Sequence, residues 1–197
     1  MAIDAAGSPS YDIRSDAAWD RCEFDAAWAH LAADCDAVCF GTLAQRSPAS
    51  RAAIAAFLAA AEGAVRLCDL NLRAPHYDEQ AVRTSLTAAT VLKLNESELP
   101  IAAELLELPA RAELEEAAGE LLEAFALDAV IVTRGAAGAM AVTGEEAISL
   151  PGAPFDPQPG ADSVGAGDAC SAGIVVGMLL GWPWRRALEL GNAMGAY

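Results

Sequence analysis

A chain of 197 residues has the length of one globular domain with a substantial core. Its 28 acidic against 12 basic residues give a net charge of -16, which leaves no long basic track for a phosphate backbone and sets nucleic acid aside as an expected partner. The opening MAIDAAGSPSYD lacks a basic n-region and an apolar h-region, and the longest apolar run, AGIVVGMLLGWPW, contains Pro183 and is too short to span a bilayer, so neither secretion nor a membrane partner is expected.

In chain order, MAID and YDI flank an AAGSPS turn and read as a hairpin outside the main sheet. AVCF (37–40) is a strand followed by a helix from Pro48, and AVRLCDL (64–70) is a strand followed by a helix near Asp78. TVLKL (90–94) leads into helical segments from Asn95 to about Phe125, and AVIVT (129–133) is followed by a glycine turn and GAMAVT. Strands alternating with helices, the strands nearly continuous in apolar residues, predict an α/β fold with a parallel sheet covered on both faces. After Leu150 comes a loop of about fourteen residues, PGAPFDPQPGADSV, long enough to suggest function. Two helices follow, Gly167 to about Leu180 and Pro183 to about Ala196, with Pro183 suited to a first turn. Trp182 and Trp184 read as packing residues.

Cys22, Cys35, Cys39, Cys68 and Cys170 are odd in number and contain no C-x-x-C pair; Cys39 and Cys68 lie in apolar runs. Buried reduced thiols in a cytoplasmic protein are the expectation. His30 and His76 are isolated, without metal-ligand spacing.

Ligands of α/β sheets gather at the carboxyl ends of the parallel strands, and polar residues cluster there: Asp69, Asn71 and Arg73; Lys93, Asn95 and Glu98; Thr133 and Arg134. In GAGD, the small residues Gly165, Ala166 and Gly167 let backbone N–H groups converge at a helix start, which suits a phosphoryl anion. Asp168 beside them is placed to accept a proton from a hydroxyl, worth roughly 10²- to 10⁴-fold in rate. The plain alternative is a helix start with a favourable acidic residue. NESE (95–98) is a capping-box variant, or Asn95 and Glu98 help hold a hydrated magnesium ion. TRGAAG (133–138) is a tight turn with glycines at positive φ, or a place where a nucleotide approaches the backbone through Thr133, Gly135 and Gly138. DLNLR offers Asn71 and Arg73 to a substrate, Arg73 as a bidentate phosphate or carboxylate ligand or as an ordinary surface ion pair. No G-x-x-x-x-G-K-[ST] occurs, which removes a P-loop; as a dinucleotide fingerprint GAGDAC has Cys170 at the third glycine position, which disfavours a nicotinamide-dependent oxidoreductase.

DLNLR, KLNESE, TRGAAG and DSVGAGDA together resemble, in order and approximate spacing, the ribokinase-like or PfkB-type carbohydrate kinases over nearly the whole chain. GTLAQRSPASR and NLRAPHY are similar to runs of the fructokinase branch. The resemblance implies a three-layer ribokinase-like fold with a mainly parallel sheet, residues 1–14 being the remnant of a β lid and residues 15–197 the nucleotide-binding and catalytic part. It implies transfer of a phosphoryl group from ATP to a sugar hydroxyl, with Asp168 as general base and Gly165 to Gly167 as the anion hole. Asn95 and Glu98 match the N-x-x-E motif tied indirectly to Mg2+, Thr133, Gly135 and Gly138 the nucleotide segment with Lys93 beside it, and Asn192 a position near the adenine. Asp162 and Val164 match part of a K+ site found in some members. Lids in that family often mediate dimers, which makes a homodimer the assembly to test.

Two departures are small: Ser163 stands where Thr is usual, and Cys170 where Phe is common. A larger one is that family members begin with a long segment carrying the first strands and a sugar-binding surface, whereas this sequence matches from within the lid and stops at Tyr197, before the usual last strand and helices. A kinase fragment that binds nucleotide without turnover is therefore the alternative expectation.

Overall fold

A computed structural model describes residues 2–3, 9–10, 13–154 and 163–196. The strands β1 (Ala2–Ile3) and β2 (Pro9–Ser10) pair antiparallel. Pro9 and Ser10 belong to the AAGSPS segment expected as the turn; Tyr11 and Asp12 of YDI lie outside the described residues, as do residues 155–162 of the long loop.

The main sheet has six strands in sequence order: β3 (Ala37–Phe40), β4 (Val65–Asp69), β5 (Val91–Asn95), β6 (Ala129–Thr133), β7 (Ala139–Thr143) and β8 (Ala147–Leu150). The first four are parallel, as their apolar runs predict; β7 runs antiparallel to β6 because the Gly135–Gly138 turn reverses the chain at once, and β8 pairs antiparallel with β7, so that it runs with β6 again. Helices fill the crossovers: α2 (Pro48–Ala60), α3 (Glu79–Ala88), α4 (Glu98–Leu105) and α5 (Leu114–Phe125), with α1 (Ala26–Asp34) ahead of β3 and α6 (Ala166–Leu179) and α7 (Trp184–Gly195) after β8. Local chemistry fixes their starts. The Asp25 and Asp78 side chains accept from the Trp28 and Ala81 amides, and Pro48 opens α2, each satisfying or removing an orphan donor.

Because side chains alternate along a strand, the sheet carries two cores. Leu92, Leu94, Val130, Val132, Met140 and Val142 face α3, α4 and α5, whereas Leu67, Val91, Ile131, Ala141, Ile148 and Leu150 face α6 and α7. The sheet is thus the middle of three layers. Helices α6 and α7 lie so close that a Cβ on Gly173 would stand 2.9 Å from the Gly191 backbone. Trp184 packs on the α6/α7-side core and the Arg186 guanidinium stacks 3.7 Å over Trp182. Among the described residues no helix is long and apolar enough to cross a membrane.

The five thiols are all unpaired, but only Cys68 and Cys170 are buried; Cys22 and Cys35 are partly exposed and Cys39 is exposed. For Cys39 the expectation of burial fails because β3 stands at the end of the strand order, where cover over its side chains is incomplete. Burial pushes the Cys68 and Cys170 thiols upward, away from reactivity.

GTLAQRSPASR proves to be a brace. Thr42 Oγ1 donates to the Leu70 carbonyl, Gln45 Nε2 to Gly41 O and Ser85 Oγ, and Ser47 Oγ to Asp20 O. Arg46 grips the Asp20 carboxylate with Nε and Nη2, both at 2.7 Å, and this guanidinium holds the Asp20 carboxyl down at about 2 from an ordinary 3.8. A depressed carboxyl contributes stability above its unfolded pKa that is lost as pH falls through the folded one. The thermal midpoint of Arg46→Met is therefore expected below that of the parent at pH 6, the gap closing as pH is lowered from about 4 to about 2; melting curves in a pH series check this.

Candidate active site

The strands β3 to β6 end side by side at Phe40, Asp69, Asn95 and Thr133, and the start of α6 is set against this rim. Gly165, at φ 86°, turns the chain into the helix, a conformation that costs glycine little. Ala166 N donates back to Ser163 O and Ala169 N to Gly165 O. Gly167 and Asp168 lie between them in the first turn, where helix amides have no intrahelical acceptor and where the macrodipole favours an anion. The Asp168 side chain belongs to an exposed residue and acts electrostatically, with Asp69 and Lys93, on the Cys39 thiol at the end of β3. The carboxylate and the turn of small residues therefore share one open edge.

Beneath that turn lies a buried charged group. Lys93 pairs in register with Asp69 on the neighbouring strand, and its Nζ stands 2.6 Å from Asp69 Oδ2, with the two side chains 4% and 20% exposed. Ser171 Oγ, one turn along α6 from Asp168, donates to the same Oδ2 at 3.0 Å. Lys93 Nζ is 3.5 Å from the place a Cβ on Gly167 would take. Lys93 thus lies under α6 rather than out on the rim, since its position in β5 has the parity of Val91. The sequence marks Asp69 only as one of the polar residues at the strand ends and Ser171 not at all; a lysine inside TVLKL, which in a buried strand requires a counter-charge, is the signal that points to their pairing.

Asn95 and Glu98 are brought together, and the structure shows what each oxygen does. Asn95 Oδ1 accepts from Ser97 N, Ser97 Oγ and Glu98 N, while Glu98 Oε2 accepts from Asn95 N at 2.9 Å, a reciprocal cap at the entry to α4. Glu98 Oε1 accepts from Leu72 N at 2.7 Å, tying the DLNLR loop to this turn. Burial raises the Glu98 carboxyl, opposed by those two amides. With three donors on Asn95 Oδ1 and an amide on each Glu98 oxygen, the pair does not fit direct ligation of Mg2+; only contact through the ion's own waters is compatible with this donor set. Among the described residues there is no group of three or more His, Cys, Asp or Glu side chains arranged to hold a metal. Glu98→Gln leaves one buried amide facing an NH2 group, and is expected to cost about 1–3 kcal/mol, measured by denaturant titration.

At the other side of the rim, the TRGAAG turn meets the exit of β8. A Cβ on Gly138 would lie 2.2 Å from Leu150 O, and one on Gly152 2.3 Å from Ala136 O. Arg134 Nη2 donates to Ser149 Oγ and to the Leu150 carbonyl, so this guanidinium ties the turn to the end of β8. Asn192 Nδ2 donates to Pro151 O at 3.1 Å, which brings α7 to the same place. Thr133, Gly135, Gly138 and Asn192 therefore border one backbone-lined edge next to the α6 turn. Asn71 is exposed at φ 43° and Arg73 partly exposed beyond the end of β4. Val164 is exposed ahead of α6; Asp162 lies outside the described residues.

The three-layer α/β architecture matches solved structures of the ribokinase-like fold, among them a putative ribokinase II of E. coli with a TM-score of 0.72 over 85% of this chain. Residues 14–197 match the pfkB family carbohydrate kinase, and the chain belongs to that family. It is 36% identical over 111 residues to the ATP-dependent 6-phosphofructokinase isozyme 2 of Mycobacterium tuberculosis, covering 56% of this chain and 30% of that one. Among solved structures, the aminoimidazole riboside kinase of Salmonella enterica, complexed with aminoimidazole riboside and an ATP analogue, superposes with a TM-score of 0.67 at 24% identity, over 80% of this chain and 54% of that one. A double-mutant fructokinase of Vibrio cholerae, bound to fructose, ADP and potassium ion, gives 0.66 at 25% identity, over 80% and 52%. The chain spans about a third of the curated relative and about half of each solved one.

Proposed function

We propose that this chain carries the nucleotide-binding and catalytic part of an ATP-dependent carbohydrate kinase, fructokinase-like, which transfers the γ-phosphoryl group of ATP to a sugar hydroxyl. The observation that carries the reading is the exposed carboxylate of Asp168 in the same helix turn as the Gly167 and Asp168 amides, on a helix whose Ser171 is hydrogen-bonded to Asp69 at the end of β4. Asp168 accepts the hydroxyl proton as the sugar oxygen attacks phosphorus; the Gly167 and Asp168 amides receive the charge of the transferring group, the Ala166 amide being bonded to Ser163 O, and ADP leaves. Positioning and charge stabilisation supply most of the acceleration of such a reaction. The edge formed by Thr133, Gly135, Gly138, Pro151 and Asn192 takes the nucleotide, and Asn71 and Arg73 face the sugar side.

Mg2+ bound with ATP would neutralise phosphate charge, and Asn95 and Glu98, whose oxygens are taken by the cap, would meet such an ion only through its waters. A K+ ion near Val164, a homodimer and a reducing, cytoplasmic setting for the unpaired thiols belong to the same reading. Release of ADP, followed with a coupled assay over a panel of ketohexoses, pentoses and nucleosides, tests it. Sugar-dependent ADP formation is expected. Thermal stabilisation by nucleotide without turnover on any of these acceptors would instead mark a domain that only binds nucleotide.

A further inference from the structure

The Asp69–Lys93 pair sits on the α6-facing side of the sheet among Leu67, Val91, Ala129 and Ile131, where apolar side chains would serve packing as well or better. Replacing a buried ion pair by apolar groups of similar volume is often neutral or stabilising, so packing alone does not account for this one. Its contacts all point one way. Asp69 Oδ2 takes both Lys93 Nζ and Ser171 Oγ, Ser171 Oγ also reaches Gly167 O at 3.1 Å, and Lys93 Nζ lies beneath Gly167. The pair is connected to the first turn of α6 and to two adjacent strands.

We propose that Asp69, Lys93 and Ser171 form a positioning device for the phosphoryl-accepting turn: Asp69 and Ser171 fix the height of the Gly165–Asp168 segment over the sheet, and Lys93 keeps a positive charge under its amides. This inference rests on the kinase reading above. A misplacement of about 1 Å at a reacting centre costs on the order of 10²-fold in rate, and the tether acts at that scale. Lys93 is then a positioning residue that acts through the α6 backbone, not a ligand on the nucleotide.

Cys39 provides a reporter that needs no turnover. The residue is exposed, and its thiol, raised first by partial loss of solvent around it, is pushed further up by Asp69 and Asp168 and pulled down by Lys93. The experiment compares the parent with Lys93→Met, Asp69→Asn and the double variant Asp69→Leu/Lys93→Met, reading the pH profile of iodoacetamide labelling at Cys39 by peptide mass spectrometry, the thermal midpoint, and kcat and KM for ATP and sugar. The labelling midpoint is expected to rise in Lys93→Met and fall in Asp69→Asn, whereas general loosening would speed labelling in both. The kcat of Lys93→Met is expected to fall about 10- to 100-fold with both KM values within about 2-fold. The double variant, free of any unpaired buried charge, is expected to melt near the parent temperature while keeping the kcat defect. Labelling midpoints moving the same way, recovery of kcat in the double variant, or a raised KM for ATP at unchanged kcat in Lys93→Met would each overturn the proposal. A parent inert toward every sugar would overturn the kinase reading instead, and the labelling profiles would still decide whether the pair's charges govern this turn.

Discussion

Asp168→Asn is expected to lower sugar-dependent ATP turnover by about 10²- to 10⁴-fold while leaving nucleotide affinity nearly unchanged. Asparagine keeps the size of the side chain and can still sit in the first turn of α6, so the amides of Gly167 and Asp168 remain available to the phosphate. What disappears is the one group on that turn able to take a proton from an alcohol. The loss of a favourable carboxylate–dipole interaction costs only about 0.3–1 kcal/mol of stability, so the variant folds and its kinetics are interpretable. Steady-state kinetics together with calorimetric ADP binding separate the two effects: a fall in kcat at constant nucleotide affinity supports proton acceptance, and a retained kcat removes Asp168 from that role.

The largest expected effect on stability comes from Gly138→Ala. At φ 94° and ψ -143° the backbone is in a region that a Cβ strains, and the added carbon would stand 2.2 Å, 2.4 Å and 2.5 Å from Leu150 O, Pro151 C and Gly152 N. These are backbone atoms of the adjacent strand exit, with no flexible side chain to give way. Backbone strain of about 1–3 kcal/mol and overpacking of a similar size together remove much of the 5–15 kcal/mol that holds a typical domain. The expected fall in thermal midpoint is roughly 10 °C, accompanied by loss of nucleotide binding, since the same atoms form the proposed nucleotide edge. Gly144→Ala, where nothing lies within 4 Å of the new carbon, is the control and should stay within about 0.5 kcal/mol of the parent.

The sheet was legible from the sequence wherever an apolar run was bounded by turn residues: AVCF and AVIVT are strands at their expected limits, and α2 starts at Pro48 as expected. Helix α1 was not, because AAWAHLAAD is rich in alanine and shows no clear apolar stripe even though Asp25 caps it. Strand β8 is only four residues long, alternating exposed and buried, and its partner β7 had to be known before its pairing made sense. The GAGD turn was readable because its residues are contiguous and their chemistry is local. The ion pair beneath it was not: Asp69 and Lys93 meet only through strand register, and Ser171 reaches Asp69 across 102 positions of chain. In NESE the capping geometry and the suspected metal role compete for the same oxygens, and the hydrogen bonds observed are those of the cap. Cys39 is exposed against expectation because an apolar run does not reveal that its strand ends a sheet.

The most direct measurement is a crystal structure of this chain with a non-hydrolysable ATP analogue. The account predicts the terminal phosphate within hydrogen-bonding distance of the Gly167 and Asp168 amides and the adenine beside Pro151 and Asn192. An analogue bound elsewhere with the α6 turn empty, in the groove that Leu58 of α2 and Thr84 of α3 line or the cavity that Leu99 of α4 and Leu114 of α5 line, would contradict it.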